Sequence, residues 1–376
     1  MGTYSPPFCA QRSCIHHEPN PASPYRAYVP WGFYSTKAFG SVPRYRCTTC
    51  GTTFSRQTFR LDYYAKRIVS YGDIAQRLSA CESLSSIGRA LHCSTDSISN
   101  RISRAARQAL ALDSKLSAVM QPDEDLVADG FESFCRSQYF PNNITLLVGA
   151  SSQYVYAADH VTIRRKGRMT ERQIRKRAML ERWWKVNPQG IESSFARIAH
   201  EALRVYSEGK RPSLTLWTDE HQAYAKALAH SPHLSLLMHE GLIRHRVVSS
   251  RIARTTKNPL FPVNYLDREL RKDLHEHVRE TVCFGRNVNR QMERLALYLL
   301  WHNTMKPHRA RRSPGSNADY ACAGALASEG GTAQWWEWRA WRSLTELSDA
   351  MVDTWERLRH TPLSQSRDYL PGYARM

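Results

Sequence analysis

The chain has 376 residues and carries 53 Lys and Arg against 34 Asp and Glu, a formal net charge of +19. This length allows one large hydrophobic core and one or two small ones. The excess of positive charge favours nucleic acid as the partner, because neutralised phosphates release condensed counterions. An anionic membrane surface is the alternative, but no apolar run approaches the ~20 residues that span a bilayer. The N-terminus lacks the basic and apolar regions of a secretory signal, so the sequence predicts a cytoplasmic protein.

The first 60 residues contain four of the nine cysteines and show little apolar periodicity. Such a segment cannot build a core of its own and needs a cross-link. Its C-x-x-C pair, followed by Gly51 for a tight turn, is typical of a zinc knuckle. The earlier C-x-x-x-x-C pair is looser, and His16 or His17 could replace Cys14. Free thiols are the alternative, but we predict one structural Zn²⁺. The predicted ligands are Cys9, Cys14, Cys47 and Cys50.

Residues 62–112 have a helical pattern in which two short helices flank a tight turn. Ser94 or Thr95 can cap the second helix, which is rich in arginine. Behind a zinc knuckle, this pattern is typical of a helix-turn-helix with a recognition helix. A plain amphipathic helical hairpin is the alternative. The residues predicted to contact DNA are Arg101, Arg104 and Arg107.

Strands and helices alternate after a linker at about 120–125. The predicted strands are 126–129, 143–150, 154–161, 214–217 and 244–250. Residues 163–210 have a helical pattern, and the stretch 163–178 is strongly basic. A charge run is usually a solvated face, but one so uniform in sign is expected to touch phosphate. The residues predicted to hold the DNA backbone here are Lys166 and Arg168.

Two aspartates follow short apolar strands. Asp129 follows Leu-Val-Ala and Asp219 follows Leu-Thr-Leu-Trp-Thr. Carboxylates so placed can hold Mg²⁺, and two Mg²⁺ ions roughly 3.5–4 Å apart can drive phosphodiester cleavage and joining. Capping of turns is the alternative role. A third acid must come from the next helix, where Asp267, Glu269, Asp273 and Glu276 are the candidates. We favour Asp267, beside the apolar stripe; Glu269, rotated by about 200° from it, is the alternative.

Two segments carry a resemblance to a known family. Arg44-Tyr-Arg-Cys-Thr-Thr-Cys-Gly-Thr-Thr-Phe resembles the zinc-knuckle segment of InsA-type DNA-binding proteins. Asn264-Tyr-Leu-Asp-Arg-Glu-Leu-Arg, followed by Arg279-Glu-Thr-Val-Cys-Phe-Gly-Arg, resembles the InsB-type catalytic segment. Over about 1–310 the chain therefore resembles a bacterial insertion-sequence transposase of the DDE class, as an InsA/InsB-like fusion. It departs from that family at Asp267, where the family has Glu with a one-residue shift in spacing.

The resemblance implies an α/β fold, a ribonuclease-H-like mixed sheet flanked by helices. The implied modules are a zinc ribbon at 1–60, a helix-turn-helix at 61–118, the catalytic domain at 119–310 and a helical C-terminal extension at 311–376. Tryptophans at helical spacing between 335 and 355 are assigned to packing in that extension.

The activity implied by the resemblance is DNA transposition. Asp129, Asp219 and either Asp267 or Glu269 are expected to hold catalytic Mg²⁺ or Mn²⁺. The expected partners are double-stranded DNA of the element ends and target, bound by a homo-oligomer at the nucleoid, without a membrane. Two rival functions are a catalytically inactive DNA-binding regulator and a nuclease of the same fold that only hydrolyses.

Overall fold

The structure is a computed structural model, and it describes most of the chain. The described residues are 4–18, 27–183, 185–278, 280–309, 315–321, 334–344 and 346–358. Arg279 of the second family-like segment lies outside them, as do residues 1–3 and 19–26 of the predicted zinc ribbon. Much of the predicted C-terminal extension, including 322–333 and 359–376, also lies outside them.

A small antiparallel sheet forms near the N-terminus. Its strands, in the order β1-β2-β3, are β1 Tyr28–Thr36, β2 Gly40–Cys47 and β3 Thr53–Ser55. The core beneath it consists of aromatic rings and cysteine thiols, among them Phe8, Phe54 and Phe59. So small a core agrees with the expectation that this segment needs a cross-link.

Three helices follow the small sheet. They are α1 Tyr71–Leu78, α2 Leu84–Ala90 and α3 Thr95–Val119. The hydroxyl of Ser94 accepts a hydrogen bond from the backbone N–H of Ser97, which confirms Ser94 as the cap of α3. Ile87 and Ile98 are buried between α2 and α3, as the spacing of apolar residues predicts. α3 has 25 residues, and Leu110 on its second half joins the main core of the protein.

A mixed five-stranded sheet forms the centre of the protein, with strand order β6-β5-β4-β7-β8. Its strands are β4 Leu126–Phe134, β5 Pro141–Gly149, β6 Val155–Thr162, β7 Leu214–Thr218 and β8 Ile243–Val247. The first three strands pair antiparallel, whereas β7 is parallel to both β4 and β8. A mixed α/β fold with a helix-flanked sheet is therefore confirmed, and all five predicted strands are present.

Helices cover both faces of this sheet. The helices that follow β4 along the chain are α4 Glu171–Glu181, α5 Gly190–Glu208, α6 Gln222–Ala229, α7 Pro232–His239, α8 Phe261–Asp273, α9 Val288–Thr304, α10 Asn317–Ala321 and α11 Asp349–Glu356. None of the helices in the described ranges combines the length and apolar character needed to cross a membrane.

The alternation of side chains along β4 assigns a core to each face of the sheet. Val127 and Phe131 pack in the core that contains α8 and α9 residues, whereas Leu126 and Ala128 pack in the core that contains α5 and α6 residues. Odd-numbered side chains of β4 therefore point toward the face covered by α8.

The described part of the predicted C-terminal extension is helical in part, at α10, at a 3-10 turn Gln334–Trp336 and at α11, which carries Trp355. Residues 337–344, between the 3-10 turn and α11, are irregular and carry Trp338 and Trp341. Carbonyls of this segment are satisfied by side chains of α3, because Gln108 donates to Trp338 and Arg107 donates to Leu344. Trp341 is nevertheless buried, which confirms its assignment to packing.

Candidate active site and metal centre

Asp129 is the fourth residue of the nine-residue strand β4, so the prediction that it lies at a strand end is wrong. It lies instead where β4 has passed its β7 partner, since the pairing covers Leu126 and Val127. By alternation its side chain shares the face of Val127 and Phe131, toward α8. The apolar pattern of the sequence does not show that the strand continues beyond Asp129, because the length of β4 is set by its long pairing with β5.

Gly130 permits a close approach beside Asp129. A Cβ atom at position 130 would lie 2.2 Å from Nδ2 of Asn143 on β5, so any larger residue would displace that amide. The Asn143 amide oxygen accepts a hydrogen bond from Thr145 at 3.1 Å. The glycine therefore makes room for Asn143 on the sheet face opposite the Asp129 side chain, while its backbone N–H donates to Oδ1 of Asp129 at 2.7 Å.

Asp219 is the first residue after β7. Its Oδ1 accepts a hydrogen bond of 3.0 Å from the backbone N–H of His221, at the turn that leads into α6. If the parallel register of Val127 with Trp217 is extended by two positions, Asp219 comes level with Asp129. The two carboxylates therefore project from neighbouring strands at the same level of the sheet.

The third candidate, Asp267, lies on α8 and faces the same region. Its Oδ1 is buried and has no hydrogen-bond partner. A buried oxygen without a partner is costly in a folded protein, which makes Asp267 a candidate metal ligand.

Two of the three carboxyl groups have raised pKa values. Burial, followed by the negative charge of Asp219, raises the pKa of Asp129 to about 6. Burial, followed by the negative charge of Asp129, raises the pKa of Asp267 to about 7. Such mutual repulsion is expected when carboxylates converge without a cation between them.

The other candidates for the third acid have different partners. Glu269 forms ion pairs with Lys306 and, at 3.3 Å, with Lys272. Asp273 accepts a hydrogen bond of 3.0 Å from the hydroxyl of Tyr298, and Glu276 is paired with Arg294 at 2.8 Å. These carboxylates stabilise the packing of α8 against α9, and they lie apart from the Asp129–Asp267 group.

Two residues of the site were missed by sequence reasoning. Tyr224 on α6 lies near Asp129, and burial followed by the charges of Asp129 and Asp219 raises the pKa of Tyr224. Its ring stacks on Phe195 with centroids 4.2 Å apart.

Arg254 is exposed in the loop after β8, and its positive charge lowers the pKa of both Asp129 and Asp267. The one feature of the sequence that could have placed Tyr224 at the site was its position five residues after Asp219.

The four N-terminal cysteines form the second cluster of the protein. The Sγ atoms of Cys9 and Cys50 are 3.5 Å apart, and those of Cys14 and Cys47 are 3.7 Å apart. A tetrahedral Zn²⁺ with Zn–S bonds of ~2.3 Å places sulfurs roughly 3.8 Å apart, so the cluster is compatible with a structural zinc. Gly51, at φ +70°, turns the chain after Cys50 as predicted.

The two histidines beside this cluster are not part of it. Nδ1 of His17 is 2.8 Å from the carbonyl oxygen of Cys9, and Nε2 of His16 is 2.9 Å from Oγ1 of Thr49. The cysteine set is also the one group of three or more His, Cys, Asp or Glu residues within the described ranges whose ligand atoms all lie within 4.8 Å of one another. The aspartates are therefore spaced more widely than the thiols.

The arginines predicted to read DNA point into the protein, so that prediction disagrees with the structure. Arg101 is buried and donates 3.0 Å hydrogen bonds to the Tyr71 hydroxyl and the Arg67 carbonyl. Arg104 is half-buried, with its guanidinium 4.3 Å from the centroid of the Tyr63 ring. Arg107, also buried, binds carbonyls of the C-terminal extension. All three arginines lie on the side of α3 that faces the core. Their helical spacing shows that they share one side of the helix, but not whether that side is exposed or buried.

Exposed side chains do occur at the start of α3. This set comprises Thr95, Asp96, Ser97 and Asn100. The first turns of a recognition helix are those that contact base edges, so these residues replace the arginines as candidates.

Lys166 and Arg168, the predicted backbone-binding pair, are exposed on both sides of Gly167, between β6 and α4. α4 itself has no buried residue. Part of the charge predicted for this segment is neutralised, because Arg164 and Arg177 pair with Glu181. The remaining basic side chains leave an exposed surface suited to phosphate.

Comparison with known proteins does not extend these observations. No family model matches the sequence, and no curated protein gives a significant match.

Proposed function

We propose that this protein is a metal-dependent DNA transposase, which binds the ends of a mobile element, cleaves them and joins them to target DNA. The convergence of Asp129, Asp219 and Asp267, from two neighbouring parallel strands and the helix that faces them, carries the proposal. Three antiparallel strands followed by two parallel ones are the arrangement expected of a ribonuclease-H-like core, and this supports the class of enzyme.

The acidic group fits a divalent cation. Asp267 offers a buried oxygen without a partner, and two of the carboxyls have raised pKa values that a cation would lower. Mg²⁺ or Mn²⁺ held by Asp129, Asp219 and Asp267 would supply an activated hydroxyl and stabilise the leaving oxygen. The wide spacing of the carboxylates agrees with a cation that keeps several of its waters.

The remaining residues of the site position these carboxylates and attract DNA. The backbone N–H of Gly130 donates to Oδ1 of Asp129 at 2.7 Å and Tyr224 lies near that carboxylate, while the turn at His221 fixes Asp219. Arg254, together with Arg251 and Lys257 in the same exposed loop, places positive charge beside the acidic group. That charge suits the phosphate on which the reaction takes place.

The N-terminal modules supply DNA recognition in this proposal. A Zn²⁺ at the cysteine cluster would stabilise the small sheet, and the exposed start of α3 would enter the major groove. Joining two element ends requires more than one copy of the chain, so we propose that it acts as an oligomer on DNA.

A strand-transfer assay tests the proposal. The purified protein is incubated with Mg²⁺, a donor end that carries a free 3′-hydroxyl, and a supercoiled plasmid target. Joining that is abolished in Asp129→Asn supports a transposase. Hydrolysis without joining indicates a nuclease, and end binding without either reaction indicates a regulator.

A further inference from the structure

A groove lies between the N-terminal sheet and the segment that leads into α1. It encloses about 620 Å³ between the β1–β2 hairpin and residues 63–66. Four aromatic rings and two lysines line it: Tyr34, Phe39, Tyr63, Tyr64, Lys37 and Lys66. Hydroxyl and amide side chains and two alanines complete the lining, and no carboxylate occurs among its described residues.

The rings of this aromatic groove differ in how firmly they are held. The Tyr34 hydroxyl is 3.0 Å from Oγ of Ser55, and the Tyr63 ring contacts the Arg104 guanidinium. Tyr64 by contrast is 80% exposed, with its ring centroid 5.7 Å from that of Tyr63 in an edge-to-face arrangement. Tyr34 and Tyr63 are thus held in place by their contacts, whereas the neighbouring ring of Tyr64 is open to solvent.

The backbone holds Tyr64 in an unusual conformation. Its φ of 54° lies in the left-handed region, which residues other than glycine seldom adopt. The turn around it is imposed by buried Asp62, whose carboxylate accepts hydrogen bonds from Gln57 at 3.1 Å and Arg60 at 2.9 Å. Backbone strain of this kind is retained where the surroundings enforce it, and it clusters at ligand-binding positions.

We propose that the aromatic groove binds an unpaired nucleotide at the DNA end, with its base stacked against Tyr64 and its phosphates near Lys37 and Lys66. This inference rests on the proposed function and specifies the DNA that the N-terminal module recognises. Aromatic faces bind bases of any sequence, but only unpaired bases expose their own faces. An apolar peptide would leave both lysines unmatched, whereas a nucleotide matches the rings, the lysines and the polar lining together.

The test compares three labelled probes with the zinc-loaded full-length protein by fluorescence anisotropy. The probes are a blunt duplex, the same duplex with a short unpaired 3′ overhang, and an oligothymidine strand. Tyr64→Ala should weaken binding of the two unpaired probes by roughly 5-fold to 150-fold and leave the blunt duplex unchanged. Tyr64→Phe, which keeps the ring, should bind like the wild type.

Phe33→Ala is the matched control, because Phe33 is a 72% exposed ring of the same sheet outside the groove lining. It should leave all three affinities unchanged. The proposal is overturned if Tyr64→Ala binds the overhang like the wild type, or if it weakens all probes equally. A Tyr64-dependent self-association in sedimentation, with no change in DNA binding, would assign the groove to a second copy of the chain and also overturn it.

These outcomes separate the groove from the catalytic proposal. If Asp129-dependent joining occurs while Tyr64→Ala binds overhangs normally, the groove proposal fails alone. If the wild type neither cleaves nor joins but discriminates overhang from blunt DNA through Tyr64, the groove stands and the catalytic proposal fails.

Discussion

Asp267 and Glu269 lie two positions apart on α8 and have opposite environments. Oδ1 of Asp267 is buried without a partner near Asp129, whereas Glu269 is held by Lys306 and Lys272. At ~100° per residue, two positions turn a side chain by roughly 200°, which accounts for the difference. One carboxylate is available to a cation, and the other is already neutralised.

Exchange of each acid for its amide should therefore separate catalysis from stability. Asp267→Asn should reduce cleavage with Mg²⁺ by at least roughly 100-fold. Residues that only orient a metal ligand cost up to about 100-fold when they are changed, and a direct ligand should cost at least as much. Glu269→Gln should retain cleavage but lower the thermal midpoint, since it breaks a buried ion pair. Initial rates on an end-containing duplex, measured with melting curves, decide between them. Loss of cleavage in Glu269→Gln alone would move the third ligand to that residue.

The raised pKa values of Asp129 and Asp267 predict a dependence of stability on pH. Because the folded state holds these protons to a higher pH than the unfolded state does, unfolding free energy falls as pH rises from about 4 to 7. Asp129→Asn should therefore stabilise the metal-free protein at pH 8, on the order of 2 kcal/mol, but not at pH 4. Denaturant titrations at both values measure this.

Two controls accompany that titration. Asp353→Asn removes an exposed carboxylate from α11 and should change stability little at either pH. Mg²⁺ should stabilise the wild type at pH 8 but not Asp129→Asn. Equal stabilisation of both by Mg²⁺ would show that the cation binds elsewhere.

The cysteine cluster predicts a metal-dependent N-terminal module. Purified protein should contain about one zinc per chain, and Cys47→Ser should lose it. Because Cys47 is buried among the rings of the small core, the variant should expose this module to protease. The central sheet should stay folded, which limited proteolysis with mass spectrometry would show. Zinc-free reduced protein with an intact module would contradict the assignment.

The sequence allowed prediction of the five-stranded sheet, the cysteine cluster and the cap at Ser94, because periodicity and capping act over a few neighbouring residues. The orientation of the α3 arginines depended on distant partners. Arg107 is buried by a C-terminal segment more than 230 positions away, which no local pattern could reveal. Tyr224 likewise lies near Asp129 through the packing of α6 on α5, where its ring stacks on Phe195, and no local pattern predicts that packing.

Arg107 provides a test of that corrected role. Its guanidinium donates to the carbonyls of Leu344 and Ser343 and lies 4.9 Å from the Trp341 ring centroid. Arg107→Ala should cost on the order of 3 kcal/mol of stability, since several buried carbonyls lose their donor. DNA affinity per folded molecule should not change. A stable variant with weakened DNA binding would restore the original prediction that Arg107 contacts DNA.

Lys166 and Arg168 are predicted to bind phosphate without reading sequence. Removal of both side chains should weaken specific and non-specific duplexes alike and should flatten the slope of log affinity against log salt by about 2. Anisotropy titrations over a range of salt concentrations measure the slope. Lys115→Ala combined with Lys226→Ala is the matched control, because it removes the same charge from exposed positions on α3 and α6. If both pairs flatten the slope equally, the effect is one of net charge, and the segment before α4 makes no direct contact with DNA.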